Sequence, residues 1–279
     1  MNRKMLSLFG LKWNPFTPDV PVEALYRTPR VENFLLRVDH LARAGGFALV
    51  SGPPGTGKSA ALRIISGHLS SIRDLKVEIL TRPQCNMADF YREIGDLFGV
   101  ELSPHNRWRG TKVLRERWRS FLETSLFRPM LLIDEAQEMA PPVLNELRIM
   151  MSADLDSVQM LSVVLSGDPR LLAKLRHDDL LPLGSRIRTR LPLEGETPET
   201  LAAYLCHGME AAGNPRLMTD GLVSTLADQA MGNLRVLMGM AADLLTYGAE
   251  RELARLDEKL YLEVFDPGPK RGRRGGRRS

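Results

Sequence analysis

The eight residues from Gly52 to Ser59, GPPGTGKS, constrain this chain more than any other segment. They match the pattern G-x-x-x-x-G-K-[ST], whose glycines let the backbone wrap so that successive N–H groups point at phosphate oxygens. The apolar run Phe47–Val50 precedes the loop, and a helical pattern begins at Ala60. This order predicts a strand, a phosphate-binding loop and a helix whose positive N-terminal end faces the phosphates. A Gly-rich turn without function is the alternative, and the flanking patterns argue against it.

The side chains at the end of this loop predict which ligand it takes. Lys58 is placed to contact the β- and γ-phosphates of a nucleotide, and Ser59 to ligate Mg²⁺, so ATP and Mg²⁺ are the predicted ligands. The nucleotide-binding residues predicted in this segment are Gly52, Pro53, Pro54, Gly55, Thr56, Gly57, Lys58, Ser59 and Ala60.

A second apolar run, Met130–Ile133, ends in two acids, Asp134 and Glu135. In a parallel sheet, the carboxyl end of a strand faces the ligand crevice. There Asp134 would hold the water shell of Mg²⁺, and Glu135 would orient or deprotonate the attacking water. A solvated acidic strand end is common, so the pattern is weak alone. Together with the phosphate-binding loop it predicts nucleotide hydrolysis.

Strand and helix patterns alternate up to about residue 195. The predicted strands are Phe47–Val50, Lys76–Leu80, Met130–Ile133, Met160–Leu165 and Thr189–Leu193, and helical periodicity covers Ala60–Leu69, Asp89–Phe98 and Lys112–Leu122. This alternation predicts an α/β fold with a parallel five-stranded sheet flanked by helices.

After about residue 195 only helical patterns remain, beginning with Thr197 as an N-cap and Pro198 at the first helical position. They cover Thr200–Ala211, Gly221–Ala230, Leu234–Tyr247 and Asp257–Val264. The predicted division is therefore an α/β nucleotide-binding domain over 1–195, a small all-helical lid domain over 196–266 and a basic disordered tail over 267–279.

Two polar residues follow the fourth predicted strand. Either Ser166 or Asp168 could touch both the attacking water and the γ-phosphate, a role called sensor 1, and an ordinary turn residue is the alternative. In the helical domain, Arg235 opens a helix and would reach back to the nucleotide as sensor 2. The alternative for Arg235 is a solvated arginine at a helix start.

Three arginines, Arg186, Arg188 and Arg190, stand at alternate positions before and within the fifth predicted strand. Phosphoryl transfer gains from a guanidinium on the developing γ-phosphate charge, and a neighbouring subunit often donates it. An arginine in this role is called an arginine finger. Arg186 is the favoured candidate, Arg188 is the next, and a basic strand edge without a catalytic role is the alternative.

In this order the elements resemble those of AAA+ ATPases over nearly all of residues 10–265. More narrowly, the chain looks like the ExeA/TnsC/MuB group. The matching segments are Phe9–Gly10–Leu11 with Asn14–Pro15–Phe16, Asp134–Glu135–Ala136–Gln137, Asn145–Glu146–Leu147–Arg148 and Ser185–Arg186–Ile187. The resemblance implies that residues 1–30 pack near the adenine, with Asn14, Pro15 and Phe16 lining the base pocket.

Members of this group serve either transposition or secretion. Transposition regulators polymerise on target DNA and deliver it to a transposase, whereas the secretion ATPases carry a membrane span and a peptidoglycan-binding region after the ATPase domain. Because the chain ends at residue 279 without a span and carries a basic tail, we expect a transposition regulator. Its partners would be duplex DNA, a transposase, possibly a target-selection protein, and further copies in a ring or helical filament. An ExeA-like secretion ATPase is the alternative, and a nucleotide-gated scaffold with negligible turnover is a third hypothesis.

Charge is distributed unevenly along the chain. Residues 270–279, KRGRRGGRRS, carry six positive charges, so the net charge of +4 becomes −2 without them. A second basic cluster precedes and enters the helix that contains Trp118; a surface helix with solvated arginines is the alternative. The predicted contacts with DNA phosphates are Arg82, Arg107, Arg109, Thr111, Lys112, Lys270, Arg271, Arg273 and Arg274. No base-reading motif is visible, so little sequence specificity is expected.

Composition points to an ordinary globular protein of the cytoplasm. With 43% hydrophobic and 26% charged residues, the chain can bury a core of normal size. Two cysteines are too few for a disulfide framework, and no apolar run approaches the roughly 20 residues of a membrane span. The five histidines have no spacing that suggests a metal site.

Overall fold

A computed structural model describes residues 3–102, 107–153 and 158–265. Its helices are α1 (Arg3–Phe9), α2 (Pro29–Ala44), α3 (Lys58–Ser70), α4 (Met87–Phe98), α5 (Arg107–Ser120), α6 (Pro141–Met150), α7 (Pro169–Lys174), α8 (Leu181–Gly184), α9 (Pro198–Ala212), α10 (Asp220–Gln229), α11 (Leu234–Glu250) and α12 (Glu258–Phe265). Its strands are β1 (Gly46–Ser51), β2 (Leu75–Leu80), β3 (Arg128–Ile133), β4 (Ser152–Ala153), β5 (Val158–Gln159), β6 (Ser162–Gly167) and β7 (Ile187–Pro192). They form two compact units, one over Arg27–Glu194 and one from the segments before and after it.

The first unit is built on a five-stranded sheet in the order β2-β3-β6-β1-β7, and every pairing is parallel. The predicted five-stranded parallel sheet is therefore confirmed. The central strands read as continuous apolar runs because both faces are covered. Strand β7 lies at an edge and alternates, with Ile187, Thr189 and Leu191 buried and the arginines between them exposed.

Helices cover both faces of this sheet. Alternate strand residues such as Leu49, Leu131 and Leu165 share one hydrophobic core with residues of α4 to α8. Helices α2 and α3 contact the strands without joining that core, which places them on the opposite face. Because β1, β3 and β6 pair in parallel, their carboxyl ends lie together at one edge of the sheet.

Helix α5 is amphipathic, and its arginines do not all face solvent. Trp118 is fully buried against Phe98, with ring centroids 5.4 Å apart. Arg117 donates from Nε to the carbonyl of Phe98 at 3.2 Å, and Arg115 donates to the carbonyl of Ile149 at 2.5 Å. Those carbonyls lie in the last turns of α4 and α6, which lack intrahelical partners. Two arginines of this helix therefore tie neighbouring helix ends together.

The second unit is helical and includes the N-terminal segment. Thr197 caps α9 by accepting from the N–H of Thr200 at 3.3 Å, as the sequence predicted. Met5 and Phe9 of α1 lie in one core with residues of α9, α10, α11 and α12, and Asn214 donates from Nδ2 to the carbonyl of Phe9 at 2.8 Å.

This grouping differs from the predicted division, which placed residues 1–30 with the α/β domain. Up to Tyr26, the segment clusters with the helical unit because its apolar side chains are buried there. The short antiparallel hairpin of β4 and β5 was also not predicted. None of the helices in the described ranges is long and apolar enough to cross a bilayer.

Candidate nucleotide site

Strand register brings the predicted catalytic segments together within the first unit. Ser51 is paired with Gly167, and Ile133 with Leu165, so β1, β3 and β6 end side by side. The loop after β1, the acids after β3 and the polar turn after β6 therefore share one edge of the sheet. Carboxyl edges of parallel strands are where ligands bind in such folds.

The loop after β1 needs its glycines for two separate physical reasons. Gly55 and Gly57 have φ angles of 86° and 91°, in the left-handed region that side chains rarely adopt. At Gly52 the reason is space, because a Cβ there would lie 2.1 Å from the carbonyl oxygen of Leu193. Leu193 itself donates its N–H to the carbonyl of Ser51 at 2.6 Å, so the chain leaving β7 packs against the start of the loop.

Lys58 is held inside the loop, although it bears a charge. Its side chain is 7% exposed, and Nζ donates to the carbonyl of Pro53 at 3.0 Å. The same carbonyl accepts from Thr56 Oγ1 at 2.9 Å. An ammonium has three donors, so donors beyond this bond can reach an anion in the loop. Helix α3 begins here without a side-chain cap and without an acid in its first turn, which favours a bound anion.

The carboxylate of Asp134 is fixed by its neighbours. Its Oδ1 accepts from Ser166 Oγ at 2.8 Å and from the N–H of Glu135 at 2.9 Å. Ser166 is fully buried. The structure thus brings one of the two sensor-1 candidates into direct contact with the predicted magnesium ligand.

Glu135 leaves the strand in a strained conformation. Its φ of 51° and ψ of 37° are left-handed, and its side chain is exposed. Non-glycine residues in this region cost of order 1–3 kcal/mol and concentrate at functional sites. From Glu135 the chain enters a 3₁₀ turn over Ala136–Glu138.

Gln137 is a residue of this site to which the sequence reasoning assigned no role. Its Nε2 donates to Glu135 Oε2, and its Oε1 accepts from the N–H of Asp168 at 3.1 Å. The side chain is 3% exposed. The available signal was its place two residues after Glu135, but its second partner is more than thirty residues away in the chain.

Asp168, the other sensor-1 candidate, caps helix α7. Its Oδ1 accepts from the N–H of Arg170 at 2.8 Å, and its Oδ2 accepts from Arg170 Nε at 2.8 Å. Arg170 also donates to Glu138 Oε1 at 2.7 Å. The hydrogen bond with Asp168, and to a smaller extent the interaction with Glu138, raise the pKa of the Arg170 guanidinium above its ordinary value. Asp168 is thus engaged in local structure, whereas Ser166 contacts Asp134.

The finger candidates differ in what they contact. Arg190 donates to the carbonyl of Gly184 at the end of α8, at 3.2 Å. Arg188 is exposed on the outer face of β7, and Arg186 follows α8 directly and is half-buried. Arg190 thus bonds within its own chain, and the role of any of the three arginines at a shared site stays a prediction.

Comparison with known proteins agrees with this geometry. A family model described as AAA domain matches residues 41–175, a range that contains the phosphate-binding loop, both acids and the sensor-1 turn. The first unit has the AAA+ P-loop fold.

Similar proteins extend the likeness beyond this range. General secretion pathway protein A of Aeromonas hydrophila is 31% identical over 209 residues, which are 74% of this chain and 37% of that protein. The chain thus spans less than two fifths of that relative. The Cdc6p structure from Pyrobaculum aerophilum has a TM-score of 0.69 at 17% identity, covering 87% of this chain and 67% of that one. The Aeropyrum pernix ORC1 structure in complex with DNA has a TM-score of 0.66 at 20% identity, covering 94% and 68%.

Four predicted nucleotide contacts lie outside the AAA+ domain as the structure divides the chain. Asn14 is 7% exposed and accepts from the N–H of Phe16 at 2.9 Å, and the ring of Phe16 is buried in the core of the helical unit. Pro15 lies against Gly208 of α9. Arg235 is exposed in the first turn of α11, which Asn233 caps. Their contacts with a nucleotide stay predictions.

Of the predicted DNA contacts in the AAA+ domain, Arg82, Arg109 and Lys112 are exposed, whereas Thr111 turns inward. Arg82 is 84% exposed and 3.8 Å from Glu93, and Lys112 is 3.9 Å from Glu116. Arg109 is exposed on α5. Thr111 instead turns inward, where its hydroxyl lies 2.6 Å from the Tyr91 hydroxyl and 3.4 Å from Glu146 Oε1.

The remaining predicted DNA contacts cannot be placed. Arg107 lies in α5, but its side chain is outside the described part of the structure. Lys270, Arg271, Arg273 and Arg274 lie outside the described residues altogether.

We predict that Gly52→Ala damages the loop, because the added methyl would meet the Leu193 carbonyl at 2.1 Å and Thr56 Oγ1 at 2.8 Å. Overpacking of this kind costs about 1–3 kcal/mol, so the melting temperature should fall and nucleotide affinity with it. Thermal unfolding and titration with a fluorescent ATP analogue measure both. The matched control is Gly239→Ala in α11, where a Cβ meets nothing within 4 Å; it should be neutral or add about 0.5–1 kcal/mol. Parent-like binding and melting of Gly52→Ala would contradict the close packing.

Proposed function

We propose that this protein binds ATP with Mg²⁺ and hydrolyses it to ADP and phosphate. One observation carries the proposal: the buried Lys58, the Asp134–Ser166 pair and the strained Glu135 meet at the carboxyl edge of one parallel sheet. Lys58 and the loop amides bind the phosphates, and Glu135 orients the attacking water and accepts its proton. Ser166 senses the γ-phosphate from its bond to Asp134.

The residues present fit a magnesium site. Ser166 and the Glu135 amide both donate to Oδ1 of Asp134, so Oδ2 is the oxygen that can turn toward a cation or its water shell. Ser59 supplies a second hard oxygen ligand from the first turn of α3. Magnesium at this position would neutralise charge on the phosphates.

We propose that copies of the chain assemble, as a ring or a helical filament, and that Arg186 of one copy acts at the site of the next. Arg186 lies two residues after the end of α8. Helices α7 and α8 connect it to the sensor-1 turn. Arg186 is the favoured finger and Arg188 the alternative, while Arg190 of the same stretch donates to the carbonyl of Gly184.

We propose duplex DNA as the partner of the assembly, recognised through phosphates. The supporting surface is formed by Arg109 and Lys112, which are exposed on α5, and by Arg82 after the end of β2. Arg107 and the 270–279 tail are proposed as further contacts. Arg115 and Arg117 are excluded from it because they bond helix carbonyls. The similar ORC1 fold was solved in complex with DNA, which lends support at the level of fold.

On this basis we propose a cytoplasmic regulator of DNA transposition that delivers target DNA to a transposase, with a target-selection protein as a further candidate partner. The second candidate is an ATPase that remodels a cell-envelope partner in secretion, and the likeness to General secretion pathway protein A favours it. ATP-dependent, salt-sensitive binding of duplex DNA is the property that separates the two.

Lys58 and Glu135 should separate nucleotide binding from hydrolysis. Lys58→Ala is expected to abolish ATP binding, since the phosphates lose their charged partner. Glu135→Gln should retain ATP and lose turnover, and its amide oxygen can still accept from Gln137, so the turn should keep its shape. Nucleotide titration and steady-state phosphate release on both variants measure this. Parent-like turnover in Glu135→Gln would remove Glu135 from the proposed mechanism.

Mixing inactive variants tests whether the site is shared. Arg186→Ala and Lys58→Ala should each lose about 10³-fold or more in turnover, yet a mixture should regain part of it, because some interfaces then pair an intact loop with an intact finger. Phosphate release against mixing ratio is the measurement, with Arg188→Ala mixed in the same way to distinguish the two arginines. Absence of rescue for both arginines at every ratio would argue against a finger in trans.

Replacing Arg107, Arg109 and Lys112 with alanine should remove most ATP-dependent affinity for duplex DNA while ATP binding persists. Each phosphate contact contributes about −0.9 to the log–log slope of affinity against salt, so the slope should shallow by about 2–3. In an assembled array, a few contacts per subunit become strong by repetition. Affinity against salt, with and without ATP, is the measurement.

Two controls accompany this experiment. Replacing Arg30, Arg37 and Arg73, which are exposed elsewhere on the AAA+ domain, removes the same charge and should leave the slope within about 1 of the parent. Deleting residues 270–279 should shallow the slope but keep the ATP dependence. If only the tail deletion loses binding, the tail is a nonspecific tether and the proposed surface on α5 is wrong.

A further inference from the structure

The buried side-chain amide of Gln137 connects Glu135, which follows β3, with Asp168, which follows β6. Its nitrogen end donates to the Glu135 carboxylate, and its oxygen end accepts from the N–H of Asp168 at 3.1 Å. The backbone N–H of Asp168 can only donate, which fixes the oxygen of the amide on that side. The nitrogen must therefore face Glu135, and the orientation of the amide follows from the bond to Asp168.

The space for this amide is made by Gly167. A Cβ at Gly167 would lie 2.8 Å from Gln137 Oε1 and 2.7 Å from Leu171 Cδ2. Gly167 is also the residue whose carbonyl accepts from the N–H of Gly52, at 3.2 Å. Gln137 thus packs against the residue that anchors the first position of the phosphate-binding loop.

Three further bonds fasten the same 3₁₀ turn to α7. Lys174 Nζ donates to the carbonyl of Gln137 and, at 3.0 Å, to the carbonyl of Met139. Arg170 donates to Glu138 Oε1 at 2.7 Å. The backbone of the turn is therefore held independently of the Gln137 side chain. The distinct role of that side chain is to orient Glu135.

A carboxylate that accepts a proton from water must be held in a narrow geometry, and a misplacement of about 1 Å can cost about 10²-fold in rate. Glu135 is exposed, and an exposed glutamate samples several rotamers unless a partner restricts it. In the part of the chain that the structure describes, the hydrogen bond that restrains its carboxylate comes from Gln137.

We infer that Gln137 is a positioning residue: its amide holds the Glu135 carboxylate in the orientation for catalysis and couples that orientation to the turn between β6 and α7. A shift of Asp168 moves the oxygen end of the amide, and the nitrogen end moves the base with it. The inference rests on the proposed role of Glu135 in ATP hydrolysis.

The first test replaces Gln137 with methionine, which fills a similar volume without either hydrogen bond. We expect kcat for ATP hydrolysis to fall about 10- to 100-fold while ATP affinity stays within about threefold of the parent. The control is Gln229→Met at the exposed end of α10, which should match the parent in every assay. Equal losses in kcat, ATP affinity and melting temperature would show a purely structural role and overturn the inference.

The second test, Gln137→Glu, keeps the shape and the acceptor for the Asp168 N–H but removes the donor. The new carboxylate faces that of Glu135 and repels it. We expect kcat to fall at least as far as in Gln137→Met, while ATP affinity stays within about threefold of the parent. Lys174, Arg170, Glu138 and Asp168 also face this turn and are unchanged in every variant. A kcat within about threefold of the parent would overturn the inference, and Gln229→Glu serves as the charge-matched control.

Failure of the inference is distinguishable from failure of the proposed function. If the parent hydrolyses ATP, Glu135→Gln does not, and Gln137→Met resembles the parent, then Glu135 is the base and Gln137 does not position it. If Glu135→Gln retains turnover, the proposed role of Glu135 fails and the inference fails with it.

Discussion

The parallel register of β1, β6 and β3 is the constraint on which the rest of the site depends. It sets Ser51 beside Gly167 and Leu165 beside Ile133, and from these pairings follow the Ser166–Asp134 bond and the packing of Gln137 against Gly167. Because side chains alternate along a strand, a slip of one residue would turn Ser166 away from Asp134 and exchange the side chains packed on the two buried faces of β6. The full burial of β6 on both faces prevents such a slip, so core packing and site geometry are one requirement.

Local patterns predicted most of the fold. Four-residue apolar runs were enough for β1 and β3, and Thr197–Pro198 marked the start of α9, because each signal lies within a few residues of the element it specifies. The phosphate-binding loop was predictable for the same reason. Gln137 was not, since its role depends on Asp168 and Gly167, which only the pairing of β3 with β6 brings near. Between Ser166 and Asp168 the sequence could not choose, because both follow the same strand and their partners, Asp134 and Arg170, are set by tertiary structure.

Arginines were the hardest residues to interpret from sequence. Arg115 and Arg117 lie in the same basic stretch as Arg109 and Lys112, yet their partners are backbone carbonyls of α6 and α4, whose proximity no local pattern reveals. The N-terminal segment posed a similar problem. The sequence placed residues 1–30 with the α/β domain, but the core that buries Met5 and Phe9 is formed by helices that begin almost 190 residues later in the chain.

Helix α5 is held by further groups besides Arg115 and Arg117. Glu146 of α6, 8% exposed, accepts from Tyr91 of α4 at 2.5 Å and lies within hydrogen-bond distance of Thr111 at 3.4 Å, while Trp118 is buried under the other end of the helix. A buried carboxylate that lost these hydroxyl partners would be costly, so the network specifies one position for α5. Because α5 is fixed in this way, nucleotide binding within the same subunit would change the position of its basic surface little. If α5 contacts DNA as proposed, ATP therefore acts through the number of subunits joined on the duplex rather than by reshaping the basic helix.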